Sequence, residues 1–297
     1  MMRALWTGAS GMNAQQTNLD TIANNFSNIA TTGYKKETAQ FASLLYQKIQ
    51  TKTTDNEGNK KPVIGQVGLG VRNTAIVSQF SQGSLQESDN NWDMAIEGNG
   101  FFMVQQNDGT TAYTRNGSFG LAIGGDGVTL ANSDGFAVLD SNGEPITFSN
   151  TVMTSTLTKI QDLEKNAGIE DGSKSTEFDY SNVRMDEYGN LTYTSNNNIS
   201  VNLGIKIGLA QFNNPAGLEK LSGSLFGATE NSGTVRLESE DSSLKKSKIH
   251  QGYLEGSNVD TANEIVNLIV GQRAYEMNSK TITAADEMLQ QANNLRR

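Results

Sequence analysis

Cysteine is absent from the 297 residues, histidine occurs once and proline three times. Without cysteine there is no disulfide, no zinc–thiolate site and no thiol nucleophile. The same lack suits a chain that unfolds for export and refolds outside, where stray thiols would cross-link. Few prolines beside 30 glycines favour tight turns between short strands. No stretch approaches the ~18 consecutive apolar residues of a membrane helix, so no membrane insertion is expected. The opening Met1-Met2-Arg3-Ala4-Leu5-Trp6-Thr7-Gly8 has one basic residue and no apolar core, and no cleavable leader is expected from it. Basic residues are outnumbered 23 to 32, for a formal net charge of -9. An acidic chain without a basic cluster argues against binding nucleic acid or anionic lipid. Only 36% of residues are hydrophobic, with a mean hydropathy of -0.47. That is low for a compact α/β enzyme, and part of the chain is expected to be solvated, extended or buried only against partners.

What is present is a repeated spacing at both ends. Leu5, Met12, Leu19 and Phe26 lie seven apart, as do Leu268, Tyr275, Ile282 and Leu289. Seven residues make almost two turns of helix, so each series stays on one face. Ile22 and Ile29 widen the first stripe, while Gly8, Gly11, Gly271 and Gln272 read as interruptions of the seam. The two stripes can bury each other as an antiparallel pair, and the ends of an isolated subunit are expected to be mobile until neighbouring copies cover their remaining faces. The spacing predicts a first helix to about residue 28, stopped by Thr31-Thr32-Gly33. A second runs from about 260 to 294, with Asp260 or Thr261 as N-cap and Glu264 in its first turn.

Between them the texture is β. Residues 41–46 read as extended or partly helical, and 50–62 as a polar excursion. From 67 to about 240, short runs rich in Val, Ile, Phe and Tyr alternate with turn pairs such as Asp134-Gly135 and Asn142-Gly143. Residues 156–176 are weakly patterned and fit either a loop or a short helix. The fold class is therefore α+β, with N- and C-terminal helices pairing as a coiled coil and a central, mostly antiparallel β domain.

No residue pattern carries catalysis. His250 has no cysteine or acidic cluster near it in sequence and reads as structural. Gly98-Asn99-Gly100 is followed by the strand-like Phe101-Phe102-Met103-Val104, whereas a dinucleotide fingerprint needs strand, glycines, then helix. The Asp-Gly and Asn-Gly pairs lack the spacing of nine found in calcium-binding repeats. Asp93, Asp186 and Glu187 lie near turns and read as part of a solvated face or as turn caps. No catalytic residue, metal site or cofactor is expected.

Longer segments carry a resemblance. Residues 23–35 (ANNFSNIATTGYK) resemble the N-terminal signature of bacterial flagellar rod and hook proteins, and 252–260 (GYLEGSNVD) with 272–280 (QRAYEMNSK) resemble the matching C-terminal signature. Residues 93–102 and 113–119 are similar to the core of that family's β domain. The likeness is strong over about 1–50, 64–120 and 249–292 and weak across 121–248. Within the family it is nearest to the distal-rod branch, through 46–49 and the VGLGVR run at 67–72. Proximal rod or hook subunits are the neighbouring alternatives, and a secreted β-rich binding module is a remote one.

The resemblance implies a non-enzymatic subunit of the flagellar basal body, leaving the cytoplasm through the flagellar type III export apparatus without a cleaved leader. It also implies a hollow helical homopolymer acting as a drive shaft, with terminal helices inside and the β domain outside. The implied partners are further copies of itself, proximal rod and hook subunits, and bushing ring proteins. Three regions are expected on this basis: 1–33 with 260–297 as the terminal-helix coiled coil, 34–75 with 241–259 as an extended connector, and 76–240 as a β-rich outer domain with an inserted segment near 145–185. The expected assembly seam is Leu5, Met12, Leu19, Ile22 and Phe26 with Leu268, Tyr275, Ile282 and Leu289. Phe41 and Leu45 fit the family's loose export-gate pattern, although a plain core contact is the simpler reading of both.

Overall fold

A computed structural model describes residues 2–48, 65–124, 127–166, 178–195 and 197–295. The chain is α+β and divides into two compact units, one formed by residues 1–29, 36–79 and 259–297, the other by 30–35 and 80–258.

The helical unit holds α1 (Met2–Ser27) and the long C-terminal helix, packed against each other. Beside them lies a two-stranded antiparallel ribbon. Glu37–Ser43 pairs with Val71–Ser78, with a bulge between Gln40 and Phe41, and the ribbon continues as Tyr46–Lys48 against Gln66–Gly68. Residues 41–46 thus take the extended form rather than the helical one. The C-terminal helix, Thr261–Asn294, begins where the Asp260 carboxylate accepts from the amides of Ala262 and Asn263. Those amides have no intrahelical partner, which is why an Asp at this position starts a helix. The chain leaves α1 through Gly33, whose φ of +69° favours glycine over any residue with a Cβ.

Among the described residues of the β unit every strand pairing is antiparallel. The hairpin Phe101–Gln105 and Thr111–Thr114 lies at the centre of its largest sheet. The four residues Phe101 to Val104 are all buried, and their alternation divides them between two cores. Phe102 and Val104 join the larger core with Ile96, Phe148 and Leu191, whereas Phe101 and Met103 join the smaller one with Tyr113, Phe212 and Phe226. A continuous apolar run is what a strand covered on both faces requires. The Asp134-Gly135 and Asn142-Gly143 turns close hairpins, with glycine φ values of +84° and +83°. At each, an Asn or Asp side chain (Asn132, Asp140) accepts the turn's amides.

Of the two forms open to residues 156–176, the described part, 156–166, takes the helical one. The helix is α2 (Asn150–Asn166), which makes the C-terminal helix α3, and residues 167–177 lie outside the described residues. Ile160 is fully buried in the larger core and Thr156 is buried beside it in sequence, so tertiary packing supplies what the weak local pattern does not.

Backbone crowding yields a test of this unit. A Cβ on Gly117 would sit 1.6 Å from the Met94 carbonyl oxygen, whereas one on Gly120 would meet nothing within 4 Å. Gly117→Ala should cost at least ~3 kcal/mol in denaturant unfolding, and Gly120→Ala should stay within about 0.5 kcal/mol of wild type.

Candidate assembly interface

α1 and α3 run antiparallel, and at three glycines the opposite helix comes within the reach of a Cβ. A Cβ built on Gly8 would lie 2.9 Å from Ile282 Cγ1, one on Gly11 2.8 Å from Asn278 Nδ2, and one on Gly271 2.9 Å from Leu19 Cδ2. These glycines are not interruptions. Each is the point where the opposite helix's side chain needs the space a Cβ would occupy. Near the start of α3, a polar node closes the pair. Buried Glu264 forms an ion pair with Lys36 and lies 3.5 Å from the Asn25 amide nitrogen. Asn25, itself buried, also donates to the Glu37 carbonyl at 2.8 Å and accepts from the Glu37 amide at 2.8 Å. It thereby satisfies the first strand residue as a neighbouring strand would.

The expected seam residues are distributed as follows. Ile22 is buried; Leu5, Met12, Leu19, Leu268, Ile282 and Leu289 are half-buried; Phe26 and Tyr275 are exposed. A second line on α3, with the same spacing of seven, lies at least as deep: Glu264, Gly271 and Ala285 are buried and Asn278 is half-buried. A search for large apolar residues passes over it because its members are small or polar. The spacing alone could have found them.

A third line on α3 is likewise outside the expected seam. Val266, Val270, Met277 and Met288 are 57, 61, 68 and 51% exposed. At 100° per residue they fall within about 40° of arc, roughly a third of a turn from the Gly271 line. Ile265 and Ile269 flank them, and Trp6 on α1 is also exposed.

Phe41 and Leu45 are not core contacts. Phe41 lies on the ribbon and Leu45 just beyond its first strand, and both are exposed. The other candidates have ordinary partners. His250 Nε2 lies 2.8 Å from Glu97 across a strand pair at the surface. Asp93 accepts from Ser88 and Asn90, Asp186 accepts from the amides of Tyr188 and Asn190, and Glu187 pairs with Lys248. Gly98, with φ +134°, turns the chain into the strand Phe101–Gln105. Among the described residues no group of three or more His, Cys, Asp or Glu side chains is placed to hold a metal ion.

Three family models match the chain in order: Flagella basal body rod protein over residues 5–35, Flagellar hook protein FlgE/F/G D1 domain over 95–193, and Flagellar basal body rod FlgEFG protein C-terminal over 250–295. The chain is 41% identical over 298 residues to the flagellar basal-body rod protein FlgG of Borreliella burgdorferi, covering all of both proteins. The chain belongs to the FlgG family of flagellar basal-body rod proteins. FlgG of Agrobacterium fabrum is 39% identical over 289 residues, 97% of each chain, and that of Bacillus subtilis is 34% identical over 301 residues, all of both. These alignments run through 121–248, where the sequence motifs alone carry little likeness. The protein is accordingly a structural subunit of the flagellar distal rod and belongs to the basal body.

The narrowness of the helix seam has a measurable consequence. Ile22 is the one large apolar residue of the expected seam that is fully buried. In a dilute monomer the amides of α1 and α3 should exchange with solvent orders of magnitude faster than those of Phe101–Gln105. Equal protection in hydrogen-exchange mass spectrometry would show that the helices need no neighbours.

Proposed function

We propose that the chain polymerises through its terminal helices into a hollow helical shaft that carries torque from motor to hook, without catalysing any reaction. The observation that supports this most directly is the line Val266, Val270, Met277 and Met288. It remains in water after α3 has packed on α1. A soluble protein rarely leaves such a stripe uncovered, and burying each of these side chains is worth about 1.5–3 kcal/mol. Successive copies repeat the same faces, so helix-to-helix burial can propagate without limit.

On this reading the partners are further copies of the chain, with proximal rod subunits at one end and hook subunits at the other, and bushing ring proteins around the shaft. The subunit leaves the cytoplasm through the flagellar type III apparatus without losing a leader. The terminal helices of 1–33 and 260–297 act as the polymerising region, 34–75 with 241–259 as the connector, and 76–240 as the outer domain.

The triple variant Val266→Ser, Val270→Ser, Met277→Ser should keep the monomer's circular dichroism, fail to form filaments at high concentration and abolish swimming. Wild-type filaments from this variant in electron micrographs would refute the role of the stripe. The polar excursion at 50–66, most of which lies outside the described residues, is assigned to contacts between neighbouring subunits that stiffen the shaft. Deleting it should give a more flexible filament, and an unchanged persistence length would count against that assignment.

A further inference from the structure

The β unit contains a buried ion cluster that rod assembly leaves unexplained. Lys35 Nζ lies 2.6 Å from Glu255 Oε1, and Arg115 Nη1 lies 3.4 Å from Glu255 Oε2. The three side chains are 1, 0 and 2% exposed for Lys35, Glu255 and Arg115. Backbone groups complete the cluster. Lys35 donates to the Ser81 carbonyl at 2.9 Å, Glu255 accepts from the Gly83 amide at 2.8 Å, and Arg115 donates to the Gly98 carbonyl at 2.7 Å. The guanidinium also stands 4.9 Å over the centre of the Phe101 ring, tying the cluster to the smaller core.

These residues fall at the joins of the chain. The backbone passes between the two units at 29/30, 35/36, 79/80 and 258/259. Lys35 is the last residue before one crossing, Ser81 and Gly83 follow another, and Glu255 precedes the last. The remaining crossing leads to Gly33, whose amide donates to the Glu255 carbonyl at 2.8 Å. Two further bonds join the same segments: the Asn258 amide to the Tyr34 carbonyl at 3.5 Å, and the Asn258 side chain to the Ser81 hydroxyl at 2.9 Å. Every crossing is thus bonded, within the β unit, to one point or to its immediate neighbours.

Stability does not account for burying three charges there. Burial pushes the Lys35 ammonium below its ordinary value, and the pull of Glu255 only partly offsets it. Arg115 is lowered for the same first reason. A cation whose folded value lies below its unfolded one is disfavoured as a charge by folding, so in its charged form it opposes the folded state. The Arg115 Nε also finds no acceptor among the described residues. Apolar side chains of similar volume are often as stable in such places. What an ion cluster supplies that they cannot is direction: Glu255 accepts from three positions, and each fixes one segment.

We propose that Lys35, Glu255 and Arg115 form an anchor that holds the four chain crossings in a single register at their root in the β unit. Under the proposed function, which this consequence rests on, the anchor makes the crossings one stem that can transmit load instead of four loose connections. The anchoring itself does not depend on that reading and is measurable in the monomer.

The test is amide exchange by NMR on the full-length monomer, comparing wild type with Glu255→Gln, which keeps the shape and removes the charge. The amides of Gly33, Gly83 and Asn258 should exchange at least tenfold faster, while those of Phe102 and Val104 stay as protected as before. Unchanged protection at the three crossing amides overturns the proposal. Equal acceleration of crossing and core amides also overturns it, since that marks a general stability role. If Glu255→Gln does not fold, the same comparison is made on the apolar triple Lys35→Met, Arg115→Met, Glu255→Met, and failure of both to fold overturns the proposal as well. Loss of wild-type polymerisation would refute the rod mechanism and leave these outcomes unaltered.

Discussion

α1 and α3 approach so closely at Gly8, Gly11 and Gly271 that a side chain on either helix would occupy space already held by Ile282, Asn278 or Leu19. Two helices joined through small residues bring their backbones near while hiding little apolar surface. The contact is specific in register, because Ile282 and Leu19 each fit one place, and it is limited in energy, because the large side chains on either side of the line are only half-covered. Much of what the helical unit offers follows from this. The polar node of Lys36, Glu264 and Asn25 fixes the pair near the start of α3, and the outer face of α3 is left apolar and open.

The β unit solves the opposite problem. Its central strand buries Phe101 to Val104 on both faces, and two cores with several edge-to-face aromatic pairs form around it. Such packing is self-sufficient: it needs no second copy to cover it. One chain thus combines a unit whose two cores close within the monomer and a unit that leaves an apolar stripe of α3 open. That is the division of labour a structural rod subunit needs, since the part that holds its own fold and the part that joins its neighbours are subject to different energetic demands.

Features that depend on nearby residues are legible in the amino-acid order. The hairpin turns are set by glycine's access to positive φ together with an Asn or Asp that accepts the turn's amides, and both lie within five residues. Asp260 starts α3 by bonding amides two and three residues on. Heptad spacing marks both helices because its period is a property of each helix alone. The glycines change meaning when the helices pair: a missing side chain looks like a gap in one helix and becomes a contact once the partner is in place. Residues 150–166 carry a weak helical pattern because few of their side chains are apolar, and it is Ile160 entering a core built from distant strands that holds them.

Family, α+β class, the two terminal helices and the turn positions can all be read along the chain, because motif, period and turn chemistry are written over short spans. Only the folded chain settles which face of α3 meets α1 and which stays open, that Phe41 and Leu45 face solvent, and that Lys35, Arg115 and Glu255 meet. The last two of these residues are 140 apart in the chain and the first and last are 220 apart. A charge carries no mark of its partner until folding removes the water between them.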